Sequence, residues 1–235
     1  MKIFFVFATV LLAVSALPAQ EQWTSFKAKH GKSYENLYEE KVRFQIFQNN
    51  VQVINAHNAR YEAGLETYTM GVNKFTDLTP KEFRAMLRLQ NGPLTWQNLT
   101  RHVQNGTAPD SIDWREKNAV LEVQDQNGCG SCWAFSAVGA LEGQNAIKNN
   151  KRVLLSKQQL IDCDKSENGC NGGLMLNAFE YVKQHGLNSE ADYPYDGFDL
   201  KCRAKSDSAV TVKEVVALDA TESALEEAVG KYERS

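Results

Sequence analysis

All five cysteines of this 235-residue chain fall in one stretch: Cys129, Cys132, Cys163, Cys170 and Cys202. The 128 residues ahead of them must therefore fold without covalent cross-links. The first residues say which redox environment the cysteines meet. Lys2 precedes an apolar run from Ile3 to Val14, and the small residues Ser15 and Ala16 follow, which reads as a cleavable signal peptide over 1–16. The run is too short to span a bilayer, and no later segment is apolar enough to do so. The expected destination is the secretory pathway, where thiols pair. An odd count then leaves one thiol free for chemistry, or one without its partner.

Composition excludes some function classes. A 43% apolar chain can bury a core, and a net charge of −3 with no Lys/Arg cluster gives no reason to expect nucleic acid as a partner. The charge is unevenly placed. Residues 17–107 carry 11 Lys/Arg against 8 Asp/Glu, and residues 108–235 carry 14 against 21. A basic front half could favour an acidic back half, with an association that weakens as pH falls.

The front half reads as helical. A short amphipathic segment opens at Trp23, Phe26 and Lys27, and Asn36 to Arg60 then runs without Gly or Pro. Within it Glu39, Arg43, Phe47, Asn50, Ile54 and Asn58 share one helix face. An ordinary amphipathic helix explains the apolar members of that stripe but not the two asparagines. Thr67 to Asn73 is β-rich and is expected to form a strand. Thr79-Pro80-Lys81-Glu82 has the form of a capping box with proline at the first helical position, starting a helix through Met86. From Gln90 to Thr107 the chain turns polar and irregular, with glycosylation sequons at Asn98 and Asn105.

The stripe Glu39, Arg43, Phe47, Asn50, Ile54, Asn58 and the second motif Gly71-x-Asn73-x-Phe75-x-Asp77 together resemble the inhibitory propeptide of cathepsin L-type peptidases. The resemblance implies a small helical domain over 17–89, whose tail passes through the active-site cleft in reverse. An exposed linker and activation segment would follow over 90–107.

The chemistry sits further on. In Gln126-Asn127-Gly128-Cys129-Gly130-Ser131-Cys132-Trp133 two glycines permit a tight turn, and an almost wholly apolar helix begins at Cys132. A thiol at a helix N-terminus faces unsatisfied N–H groups and the positive end of the dipole, which favour the nucleophilic thiolate. The Cys132 backbone N–H and the Gln126 side-chain amide are available as donors to an oxyanion. Cys129-x-x-Cys132 also has the spacing of a thioredoxin-like redox motif. Such motifs follow an apolar strand, whereas Asp125 to Gly128 is polar and turn-like. Zinc binding fails for want of a histidine at ligand spacing, so no metal or other cofactor is expected.

Cys-Gly-Ser-Cys-Trp resembles the local signature of papain-like enzymes. The resemblance implies Cys132 as nucleophile, Gln126 as oxyanion donor and Trp133 as a residue packing at the cleft. It also implies disulfides Cys129–Cys170 and Cys163–Cys202, where cysteine counting alone leaves three connectivities open. Gly172, Gly173, Leu174 and Met175 resemble the substrate-binding edge, with the glycines admitting a peptide backbone and Met175 suiting an apolar second subsite.

Family resemblance also implies a general-base histidine and an orienting asparagine about 130–150 residues beyond the nucleophile. Here 103 residues follow Cys132. His30, His57 and His102 lie before the nucleophile, and His185 ends an expected helix over Asn177–Gln184. The expectation is an α+β chain with a helical propeptide domain and, over 108–235, the helical lobe of a papain-like fold. Most of the β-barrel lobe would be missing, and the chain alone would be inactive. Function divides between a monomeric cysteine endopeptidase zymogen acting on proteins or peptides, lysosomal or extracellular, and a noncatalytic propeptide-type inhibitor of cathepsin L-like peptidases.

Overall fold

A computed structural model describes residues 19–87, 99–102 and 107–230. The signal peptide and the sequon asparagines Asn98 and Asn105 lie outside the described residues. The chain divides into two compact units, up to Phe83 and from Arg84 onward, where the sequence reading ended its first domain at 89.

The first unit contains α1 (Ala19–His30), α2 (Leu37–Glu62) and most of α3 (Pro80–Leu87). Its core is aromatic. Trp23, Phe26 and Phe47 are buried, and Trp23 meets Phe26, Tyr34, Phe44 and Phe47 at ring separations of 5.3–5.6 Å. Rings of this size give a small domain much apolar burial per residue. Gly31 reverses the chain with a φ of 60°. Asn36 then starts α2 by accepting the Glu39 N–H at 2.9 Å.

The stripe on α2 does two jobs. Phe47 and Ile54 face the interior, and the polar members hold backbone that has no secondary structure of its own. Asn50 Nδ2 donates to the Thr76 and Leu78 carbonyls at 2.8 and 2.9 Å. Asn58 donates to the Met70 carbonyl and accepts the Met70 N–H, at 2.9 and 2.7 Å. Arg43 reaches the Asp77 carbonyl and Glu82. The strand expected over Thr67–Asn73 is therefore not present. These residues are irregular because Asn58 and His57, rather than a partner strand, take up the polar groups of Met70 and Tyr68.

The second motif has its own logic. Asn73 Oδ1 accepts the Phe75 N–H at 2.9 Å in a side-chain turn, and Phe75 meets Phe83 edge-on. Asp77 is buried and takes Lys32 Nζ and the Tyr34 hydroxyl, each at 2.9 Å. The capping box forms as expected, with Thr79 N–H to Glu82 Oε2 at 2.8 Å and Glu82 N–H to Thr79 Oγ1 at 3.2 Å.

The second unit is α+β with little β. It holds α4 (Cys132–Asn149), α5 (Lys157–Cys163), α6 (Met175–His185) and α7 (Glu222–Gly230). Among its described residues two short strands, β1 (Thr100–Arg101) and β2 (Val216–Ala217), pair in parallel. Trp133, Ala134, Ala137 and Val138 of α4 are wholly buried with Leu155, Leu160, Ala178, Val182 and Leu187. Alanines at 134, 137 and 178 let α4 and α6 lie close. Helix α5 is buried all round although most of it is polar. Its side chains serve neighbouring loops. Gln158 accepts the Asp196 and Gly197 N–H groups, Gln159 accepts that of Asn188, and Asp162 takes the Tyr193 hydroxyl and the Leu200 N–H.

Candidate active site

Residues 125–131 make a turn closed largely by its own atoms. Asp125 Oδ1 accepts the Asn127 N–H at 2.9 Å, and Asn127 takes a left-handed φ of 53°. The Cys129 carbonyl is the hub, accepting Gln126 Nε2 at 2.7 Å and the Ser131 N–H at 2.8 Å. Gly130 donates to the Cys170 carbonyl at 2.9 Å, and the Cys129–Cys170 disulfide ties the same two segments. A second disulfide joins Cys163, at the end of α5, to Cys202.

Cys132 is the free cysteine, half-buried, and the first residue of α4. Ser131 holds the N-cap position but makes no side-chain capping bond, and its φ and ψ of −104° and 18° are not extended. Serine at that position usually accepts an N–H of the first turn. Here its hydroxyl meets the Tyr195 hydroxyl at 3.0 Å instead. The positive end of α4 is thus aimed at Cys132 without a competing side-chain oxygen. Within the same unit the Cys132 thiol donates to the Leu87 carbonyl at 3.4 Å. One N–H of the Gln126 amide is spent on Cys129, and a primary amide has a second to offer.

The expected substrate edge lies along 172–175. Gly172 has a φ of 109°, which favours glycine. A Cβ on Gly173 would stand 2.6 Å from both the Trp133 ring and Glu167 Oε2, so the closeness of indole to backbone requires glycine there too. Trp133 packs at this edge without facing solvent. It is 0% exposed, and its Nε1 donates to the Gly169 carbonyl at 3.0 Å, so it supports the edge from beneath. Leu174 is half-buried at the start of α6, and Met175 is 38% exposed. Burial pushes the nearby Glu167 carboxyl above its ordinary value, against a 2.6 Å hydrogen bond from Asn177.

The structure brings Gln126 and Cys129 into one turn that leads into Cys132, ties Cys170 to it, and sets Trp133 under Gly173. Three of the four histidines are engaged elsewhere: His57 with the Tyr68 carbonyl, His30 on Phe26 and His185 on Tyr181. A hollow of about 450 Å³ lies along α4 beside Phe135 and Gly139, and neither Cys132 nor Gln126 lines it. The site therefore rests on the turn and its thiol, not on that concavity. Sequence reasoning missed Tyr195, Glu167 and Leu87. Tyr195 stands in Asp192-Tyr193-Pro194-Tyr195, 63 residues past the nucleophile, where no periodicity or spacing connects it to the turn.

Residues 108–234 match the papain family cysteine protease domain, and residues 23–83 match the cathepsin propeptide inhibitor domain I29. A cathepsin L-like proteinase of Phaedon cochleariae is 46% identical, over 98% of this chain and 73% of its own length. Digestive cysteine proteinase 3 of Homarus americanus is 39% identical, over 94% and 71%. Among solved structures, digestive procathepsin L 3 from the larval midgut of Tenebrio molitor superposes with a TM-score of 0.83 at 41% identity. That match covers 92% of this chain and 71% of the other.

Proposed function

Because the chain belongs to the papain family of cysteine proteases, with an I29 inhibitor domain ahead of the protease domain, we propose that Cys132 is the nucleophile of a zymogen. In this reading residues 17–89 are the inhibitory domain, 90–107 the activation segment and 108–235 the peptidase portion. The observation that carries it is a thiol left free at an uncapped helix start while its neighbour Cys129 is held by Cys170.

The thiolate sulfur attacks a peptide carbonyl carbon, and the carbonyl electron pair moves to oxygen. The Cys132 N–H and the uncommitted N–H of Gln126 receive that charge. Collapse expels the amine, which takes up the proton that the Cys132 thiol gave up, and gives a thioester. Water then attacks the thioester, releasing the acid and restoring the thiol. His30, His57 and His185 do not carry that proton in this reading, since their contacts engage them elsewhere.

Gly172 and Gly173 would admit the substrate backbone, and Leu174 and Met175 would meet an apolar side chain two residues before the scissile bond. The Leu87 carbonyl beside the thiol supports a nucleophile that is covered in the zymogen. The digestive relatives support secretion into a digestive lumen over the lysosome. The aromatic core of the first unit supports a second reading, in which that unit alone inhibits cathepsin L-like peptidases.

The test is covalent labelling of the full chain. A peptidyl epoxide with an apolar second residue should modify Cys132 faster than the same epoxide without its peptide, by at least about tenfold, because binding aligns it. Cys132→Ser should abolish labelling. Equal rates for the two reagents, or label on Cys129, would sink the assignment.

A further inference from the structure

We propose that Tyr195 is a positioning residue for this site, its hydroxyl pinning the turn that carries Gln126 to the start of the nucleophile helix. The inference rests on the roles given above to Cys132 and Gln126. Tyr195 comes from the segment between α6 and α7, and it is anchored at both ends. Its backbone N–H donates to Glu190 Oε1 at 2.8 Å, and its ring meets Phe135 of α4 edge-on at 5.1 Å.

Proton counting fixes the direction of the chain of bonds. Burial pushes the Tyr195 phenol up, so it keeps its one proton through the working range of such an enzyme. The Gln126 carbonyl can only accept, so at 2.7 Å the phenol proton goes there. The Tyr195 oxygen must then accept from Ser131 at 3.0 Å. The other acceptor within reach of that serine hydroxyl, the Cys129 carbonyl at 3.5 Å, is too distant to compete. The relay runs Ser131 to Tyr195 to Gln126, from the residue before the nucleophile to the residue that offers the oxyanion donor. Besides the phenol, the Gln126 carbonyl holds the Cys129 N–H at 3.3 Å, a long bond. Losing the phenol would let the Gln126 amide drift, while Cys132 stays fixed by α4.

Two reactions at Cys132 separate these effects. A peptide aldehyde forms a carbon–sulfur bond and moves the carbonyl π pair onto an oxygen that needs the Gln126 donor. Iodoacetamide forms a carbon–sulfur bond with loss of iodide and develops no oxyanion. In the full chain, the concentration of a dipeptide aldehyde that halves iodoacetamide labelling of Cys132 would be read by mass spectrometry. Tyr195→Phe keeps the buried ring and is expected to raise that concentration about tenfold, while the labelling rate without aldehyde changes less than about threefold. In a Gln126→Ala background the same substitution should cost nothing further, because Tyr195 acts through Gln126. Ser131→Ala, which spares the bond to Gln126, should show a smaller loss in the same direction. An unchanged aldehyde response in Tyr195→Phe, or a penalty that persists undiminished in Gln126→Ala, overturns the proposal. A wild-type chain that the aldehyde fails to protect removes the Cys132–Gln126 reading and the inference with it.

Discussion

The two units keep irregular backbone in order by opposite means. In the first, residues 68–82 are held by side chains of one helix face, with Asn50, Asn58 and Arg43 reaching across from α2. In the second, comparable loops are closed by disulfides and by the buried polar side chains of α5. The first arrangement can be undone by changing solution conditions, and the second is covalent.

Reduction should break the comparison most sharply. The disulfides span 41 and 39 residues, and each contributes about 4 kcal/mol in the chain-entropy model. With a thiol reductant, amide hydrogen exchange is expected to accelerate through α4, α5 and the 186–202 region, while α1 and α2 keep their protection. Loss of protection in both units together would mean that they do not fold independently.

A smaller effect is expected from the first unit's own fastener. Asn50→Ala removes both bonds to the Thr76 and Leu78 carbonyls and leaves those acceptors without that donor. The cost should be about 1–3 kcal/mol, appearing as faster exchange over 70–82 with α4 untouched. A change under about 0.5 kcal/mol would show that water replaces the amide freely and that the stripe's asparagines are not fasteners.

These fasteners mark where the sequence was readable and where it was not. The α2 stripe, the Thr79–Glu82 box and the apolar face of α4 follow from periodicity and local hydrogen bonding, which are properties of neighbouring residues. The asparagines at 50 and 58 stood out as misfits on a helix face, and their partners became visible only with the fold. Thr67–Asn73 misled because β-branched and aromatic residues mark a strand only when a strand lies alongside, and Asn58 took that place. Lys157 to Cys163 is mostly polar, yet it is buried, because the carbonyls and amides that satisfy it come from loops some 30–40 residues away. At the site, the nucleophile turn was legible from five consecutive residues, whereas Tyr195 was not, since its role depends on a contact across 69 positions.

Acid should produce the smallest difference between the units, with opposite signs. In the first unit Glu82 is held below its ordinary value chiefly by the Thr79 backbone N–H, then by the Thr79 hydroxyl and Arg43. Glu40 is lowered chiefly by its hydrogen bond from Lys27. A depressed carboxyl contributes stability that is present above its unfolded value and is lost as pH falls through the folded one. In the second unit burial raises Glu142 and Glu167, so their contribution is fully present below the ordinary carboxylate range and declines as pH rises through the raised values. The depressed carboxyls there, Asp113 beside Arg115 and Asp192 beside Lys205, are exposed pairs that solvent screens. Lowering pH through the carboxylate range should therefore loosen the start of α3 and its link to α2 before it loosens α4. Glu82→Gln should flatten that response, because a neutral amide cannot lose its charge on acidification. Simultaneous loosening of α3 and α4, or an unaltered acid response in Glu82→Gln, would show that the capping carboxylate does not set the acid sensitivity of the first unit.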